Sequence, residues 1–90
     1  MATKGILRWW ADASISAQVE QDVTGKLVDL DLKPRAWSSR THLLSLGNDE
    51  DAAKRKFNKL ATWLRKRRDA EDGKFHAVLA VTLTNGFREY

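Results

Sequence analysis

Cysteine is absent from this chain of 90 residues, and proline occurs once, at Pro34. Without cysteine there is no disulfide framework, no thiolate nucleophile and no cysteine-based zinc site. The absence of a disulfide framework fits a reducing compartment. We therefore expect a cytoplasmic protein.

Long apolar runs are also missing from the sequence. No segment approaches the roughly 20 apolar residues of a membrane span, and the first residues lack the apolar stretch of a secretory signal. We expect a soluble protein with no membrane partner. A chain of this length forms a modest core, which predicts a single domain over residues 1–90.

Signatures of catalysis are equally scarce. No serine lies in a GxSxG elbow, and there is no glycine-rich phosphate loop. His42 and His76 have no metal-ligand spacing and no cysteine partners, which favours structural roles for both. The sequence predicts a non-enzymatic protein without a cofactor or a metal.

The basic residues are concentrated in one segment. The net charge is +4, but residues 54–68 contain eight Lys and Arg and no Asp or Glu. Residues 1–50, in contrast, carry slightly more acidic than basic side chains. This asymmetry indicates a polyanionic partner for the basic segment.

The first third of the chain shows apolar residues at every second position. The odd positions from Leu7 to Val19 are apolar, and the alternation returns from Lys26 to Leu32. Alternation predicts strands, so we expect a hairpin of residues 7–20 and 26–32 joined by a loop at 22–25. A helix over the alanine-rich part is the competing interpretation, and the hairpin fits the spacing better.

A basic helix is predicted next, from about Asp49 to Arg68 or Ala70. Asn48 is suited to cap its first turn, which is acidic, and Gly73 follows as a terminator. At helical spacing the apolar residues form one face that can cover a sheet. These residues are Ala53, Phe57, Leu60, Ala61 and Leu64.

The remaining segments contribute further strands. Residues 41–46 fit either a third short strand or a helical turn, and residues 75–84 alternate as a strand with two rather apolar faces. Asn85-Gly86 is a strong hairpin signal, so residues 87–90 are expected to fold back beside that strand. The fold class is therefore α+β: a small, mainly antiparallel sheet, made of the N-terminal hairpin and the C-terminal strand, packed on one amphipathic helix.

Two surfaces of this fold are candidate binding sites. The basic helix presents a cationic stripe suited to phosphates, with one tryptophan at its edge for stacking. Its residues are Lys54, Arg55, Lys56, Lys59, Trp63, Arg65, Lys66, Arg67 and Arg68. The outer face of the hairpin is expected to be acidic and aromatic, with Trp10 as anchor for a protein partner; its residues are Arg8, Trp10, Asp12, Asp29 and Asp31.

The segment LSLGNDEDAAKRKF (residues 44–57), placed where a sheet would lead into a helix, resembles the small DNA-binding domains that begin phage-type integrases and plant AP2-type factors. The resemblance implies DNA binding through the sheet. The sheet face predicted here is acidic instead, so no residue is assigned from the resemblance.

The sequence predicts a binding protein that engages nucleic acid or a nucleoprotein complex through its basic helix. The alternative is a protein-interaction module, such as a small inhibitor or adaptor of the kind that mobile elements encode. Such a module would dock through Trp10 and the acidic sheet face, or place its basic helix on an acidic protein surface.

Overall fold

The structure is a computed structural model that describes residues 3–38, 40–83 and 86–89. Its elements, in chain order, are β1 (Thr3–Ala11), α1 (Ser16–Asp29), β2 (Arg35–Ser38), β3 (Thr41–Gly47), α2 (Glu50–Ala70), β4 (Phe75–Leu83) and β5 (Gly86–Glu89). The predicted α+β class with an antiparallel sheet is confirmed, but the sheet packs on two helices and not on one.

The strands form one sheet with the order β2-β3-β1-β4-β5, and each neighbouring pair is antiparallel. Strand β1 is the central strand of the sheet, and it pairs with β3 on one side and with β4 on the other. The first six elements therefore have the split β-α-β, or ferredoxin-like, topology. Helix α1 packs over β1, and α2 packs over β3 and β4.

The two faces of the sheet differ in burial. In β1, Leu7, Trp9 and Ala11 are buried, whereas Arg8 and Trp10 are exposed. The odd residues of this strand point toward the helices because side chains alternate between the two faces. We call the helix-covered side the inner face and the opposite side the outer face.

The predicted N-terminal hairpin is wrong, because residues 16–29 form helix α1. The side chains that α1 buries are Val19, Val23 and Leu27, four residues apart, as expected for one helical face. Both edges of β1 already pair with β3 and β4, so no edge is left for residues 26–32. Residues 16–29 instead cover the inner face as a helix.

The end of α1 explains why Asp29 and Asp31 do not share a strand face. Asp29 is the last residue of the helix, and Asp31 follows in the left-handed region at φ 55°. The amide of Leu32 donates to the carbonyl of Leu27 at 3.0 Å, and the amide of Asp31 donates to that of Val28 at 3.0 Å. This is a Schellman-type helix end.

Helix α2 confirms the predicted basic helix. It spans Glu50–Ala70, and its buried residues are the five predicted from the apolar spacing. The cap is Asp49, one residue after the predicted Asn48; its carboxylate accepts hydrogen bonds from the amides of Asp51 and Ala52. Gly73 adopts φ 84° beyond the helix end, a conformation that glycine tolerates best.

The other strand predictions are largely met. Residues 41–46 lie in β3, so the strand is the correct one of the two predicted alternatives. The C-terminal strand is β4, and β5 pairs with it from Leu83↔Gly86 to Ala80↔Glu89. Thr84, Asn85 and Tyr90 lie outside the described residues, so the predicted turn itself is not described.

A buried histidine is hydrogen-bonded inside the core. Nε1 of Trp9 donates to Nε2 of His42 at 3.1 Å, which requires that nitrogen to be unprotonated. Burial lowers the pKa of His42, and the opposing charge of Glu20 raises it to a smaller extent. His42 is thus a structural residue of the core, whereas His76 is exposed.

This histidine should make stability depend on pH. The folded state keeps His42 neutral, so below the ordinary histidine pKa of about 6.5 the unfolded chain binds more protons. We expect the His42 contribution to be fully present above about pH 6.5 and to be lost as the pH falls toward the lowered pKa of the folded state. Urea unfolding between about pH 7.5 and pH 5 measures it. His42→Gln, which accepts a hydrogen bond but does not titrate, should flatten the profile; an unchanged profile would contradict the assignment.

Candidate nucleic-acid interface

The packing of α2 places its cationic stripe on the side of the helix that faces solvent. Its apolar residues are buried against the sheet, so the opposite side of the helix points away from the molecule. Arg55, Lys59 and Lys66 lie on that side and are exposed. They span about 16 Å along the helix, given a rise of about 1.5 Å per residue. We call these three residues the α2 stripe.

The α2 stripe has no internal neutralisation within the part of the chain that the structure describes. No carboxylate there forms an ion pair with Arg55, Lys59 or Lys66. The acidic residues at the start of α2 lie in its first turn, where they stabilise the helix dipole. The three cations are therefore available to an external anion.

Arg67 and Arg68 form ion pairs within the chain. Nη1 of Arg67 forms a short ion pair with Asp22 of α1, and its Nε lies 2.9 Å from Oε1 of Glu71. The hydrogen bond from Arg67 holds the pKa of Asp22 below its usual range. Arg68 lies 3.5 Å from the carboxylate of Asp69. Arg67 therefore ties α2 to α1, and we remove it from the set of phosphate ligands.

The other predicted members occupy different positions. Arg65 is exposed near the C-terminal end of the stripe, and Lys54 is partly buried near its start. Lys56 donates to the backbone carbonyl of Asp31 at 3.4 Å. Trp63 packs partly against the core and lines the groove between α1 and α2, together with Asp22. A stacking role for Trp63 stays a prediction.

The predicted acidic sheet face is wrong. Arg8 and Trp10 do lie on the outer face, but Asp29 and Asp31 lie at the end of α1. Asp12 follows the last residue of β1, and its carboxylate accepts hydrogen bonds from the amide and hydroxyl of Ser14, which lower its pKa. The structure does not bring the three aspartates together with Trp10.

The outer face is apolar, aromatic and cationic instead. Trp10 is 46% exposed and its ring stacks on that of His76, with the ring centroids 5.8 Å apart. Trp37 of β2 is 71% exposed and lines a depression together with Arg8. Trp37 was not among the site residues predicted from the sequence, because strand β2 is only 4 residues long and shows no clear alternation. A tryptophan flanked by arginines and serines was the available signal.

No group of three His, Asp or Glu side chains in the described ranges is arranged to hold a metal ion. Among the same residues, neither helix has the length and apolar content needed to cross a membrane.

Comparison of this chain with protein-family models, with curated proteins and with solved structures found no match. The likeness of residues 44–57 to integrase and AP2-type domains is therefore without support from a family model. Those domains place a helix after a three-stranded sheet, whereas here two helices alternate with five strands.

Proposed function

We propose that this protein is a small, non-enzymatic nucleic-acid-binding protein that contacts phosphates through the α2 stripe. The observation that carries the proposal is the alignment of three exposed cations, Arg55, Lys59 and Lys66, without carboxylate partners in the described structure. Arg65 extends the same surface. A solvated helix face normally mixes charges of both signs. The acidic residues at the start of α2 are confined to its first turn, and none lies along this stripe.

The charge on α1 supports an orientation in which α2, and not α1, faces the nucleic acid. Its surface carries Glu20, Asp22 and Asp29, with Lys26 as its one basic residue. The helical layer is thus acidic on one helix and basic on the other. Such polarity attracts a polyanion toward α2 and disfavours contact with α1.

Salt dependence tests the proposal. A labelled mixed-sequence oligonucleotide of about 20 nucleotides should bind at low salt, and its affinity should fall linearly with the logarithm of salt concentration. Each phosphate contact contributes about 0.7–0.9 to that slope. The double variant Lys59→Glu/Lys66→Glu should lower the slope by about 2 and weaken binding at least about tenfold.

A matched charge control is available in the chain. Lys33→Glu/Lys74→Glu has the same net charge but changes exposed residues outside α2 and outside the strands. This control should keep most of the wild-type affinity. Equal loss in both double variants would show that net charge, and not the α2 stripe, drives binding. Failure of the wild-type protein to bind at low salt would overturn the proposal.

A further inference from the structure

The outer face of the sheet concentrates exposed apolar side chains. Four of the five large hydrophobic side chains that are exposed among the described residues are Trp10, Trp37, Leu43 and Val78. Strand pairing places Ile6 opposite Leu43, and Arg8 opposite Val78. Because directly paired residues share a face of the sheet, these side chains belong to one surface. Soluble domains expose apolar patches of this kind mainly at binding sites.

The same face carries cations and lacks carboxylates in β1 to β4. Lys4 and Arg8 lie on it in the central strand, and β3 and β4 contribute no acidic residue. Arg8 lies between the two tryptophans, since it lines one depression with Trp37 and another with Trp10. A ligand for this surface has to supply both apolar or aromatic area and negative charge.

This charge pattern argues against a second copy of the chain as the occupant. A two-fold interface pairs the same patch with itself. It would bring Arg8 of one copy onto a face whose strands β1 to β4 offer no carboxylate. Burying an unpaired cation is strongly unfavourable. An anionic partner avoids that cost.

We propose that the outer face binds single-stranded nucleic acid, with bases stacked on Trp10 and Trp37 and a phosphate near Arg8. Strand spacing and rise put the two tryptophans on the order of 12 Å apart, a distance that a few nucleotides span. The stack on His76 holds the indole ring of Trp10 in a fixed orientation, and a base would extend this stack. The proposal rests on nucleic acid being the ligand class but uses a surface opposite the α2 stripe.

The shape of the surface favours a single strand. Bases in a duplex are already stacked on each other, and the aromatic rings on a sheet have no access to their faces. In single strands every base presents a π-face, and stacking on aromatic side chains is tolerant of sequence.

Oligothymidylate of about 15 nucleotides and a duplex of equal length are the probes. We expect the single strand to bind more tightly and to quench tryptophan fluorescence. Trp37→Ala and Trp10→Ala should each weaken single-strand binding by about 5- to 150-fold. Neither change removes a cation, so the salt slope should stay the same, whereas Arg8→Gln should lower it by about 0.7.

Val28→Ala is the matched control, because Val28 is 63% exposed but lies on α1. It should bind like the wild type, and Trp10→Phe should retain most of the affinity. Wild-type affinity in both tryptophan-to-alanine variants would overturn the inference. So would equal affinity for the two probes, or a dimer that Trp10→Ala dissociates.

The two proposals fail in different ways. If only the Lys59→Glu/Lys66→Glu variant loses binding, the α2 stripe is the binding site and the sheet face is not. If only the tryptophan variants lose binding, the sheet face is the site and the stripe proposal fails. Capture of an acidic peptide by the sheet face, with no binding of oligothymidylate, would assign the surface to protein.

Discussion

Trp9→Ala is expected to destabilise the protein by about 3–5 kcal/mol, the usual cost of deleting a large core aromatic. Trp9 is 5% exposed, its ring lies 6.5 Å from that of Phe75, and the guanidinium of Arg40 lies 5.5 Å from its centroid. The change also removes the indole N–H that donates a hydrogen bond to buried His42. A domain with about 5–15 kcal/mol of stability would lose a large fraction of it.

Thermal and urea unfolding measure this loss, and the neighbouring residue supplies the control. Trp10→Ala should cost no more than about 1 kcal/mol, because the side chain is half exposed and contributes mainly its stack on His76. Equal destabilisation by the two changes would contradict the placement of Trp9 on the inner face and Trp10 on the outer face.

Leu27→Ala should cost about 2–5 kcal/mol, whereas Val28→Ala should change stability by less than about 0.5 kcal/mol. Leu27 is fully buried under α1, and Val28 is 63% exposed on the same helix. Alanine is also the better helix former at an exposed position. The measurement is the free energy of unfolding of both variants in urea.

The comparison of these two variants distinguishes helix α1 from the hairpin that the alternation predicts. In the hairpin, Val28 would face the core and Leu27 the other side, so the order of the two effects would be reversed. Greater destabilisation by Val28→Ala would therefore rule out helix α1.

Helix α2 was predictable because its signals are local. Ala53, Phe57 and Leu60 recur at helical spacing, the first turn is acidic, and basic residues follow. Side-chain direction in a helix depends only on position along it. The sequence therefore located both the buried face and the α2 stripe. It did not predict that Arg67 would be paired with Asp22, 45 residues away.

Helix α1 was not predicted, because its sequence carries mixed signals. Apolar residues occur at both parities, as in Leu27 and Val28, and Gly25 and Thr24 lower helix propensity. The alternation from Leu7 onward is real for β1 but continues by coincidence through the turn and into the helix. The spacing of Val19, Val23 and Leu27 was the helical signal, and it competed with an equally regular period of two.

Periodicity and local composition were enough to predict the α+β class, the basic helix and the placement of Trp9 and Trp10 on opposite faces of a strand. They did not predict whether Trp10 is exposed. The central position of β1 could not be predicted in this way, because it depends on pairing with strands more than 30 residues away. With both edges of β1 occupied, residues 16–29 do not pair with it and instead cover the inner face as helix α1. Because residues 16–29 form a helix, Asp29 and Asp31 do not lie on the outer face. Trp10, Trp37 and Arg8 therefore lie on a surface whose strands β1 to β4 carry no carboxylate.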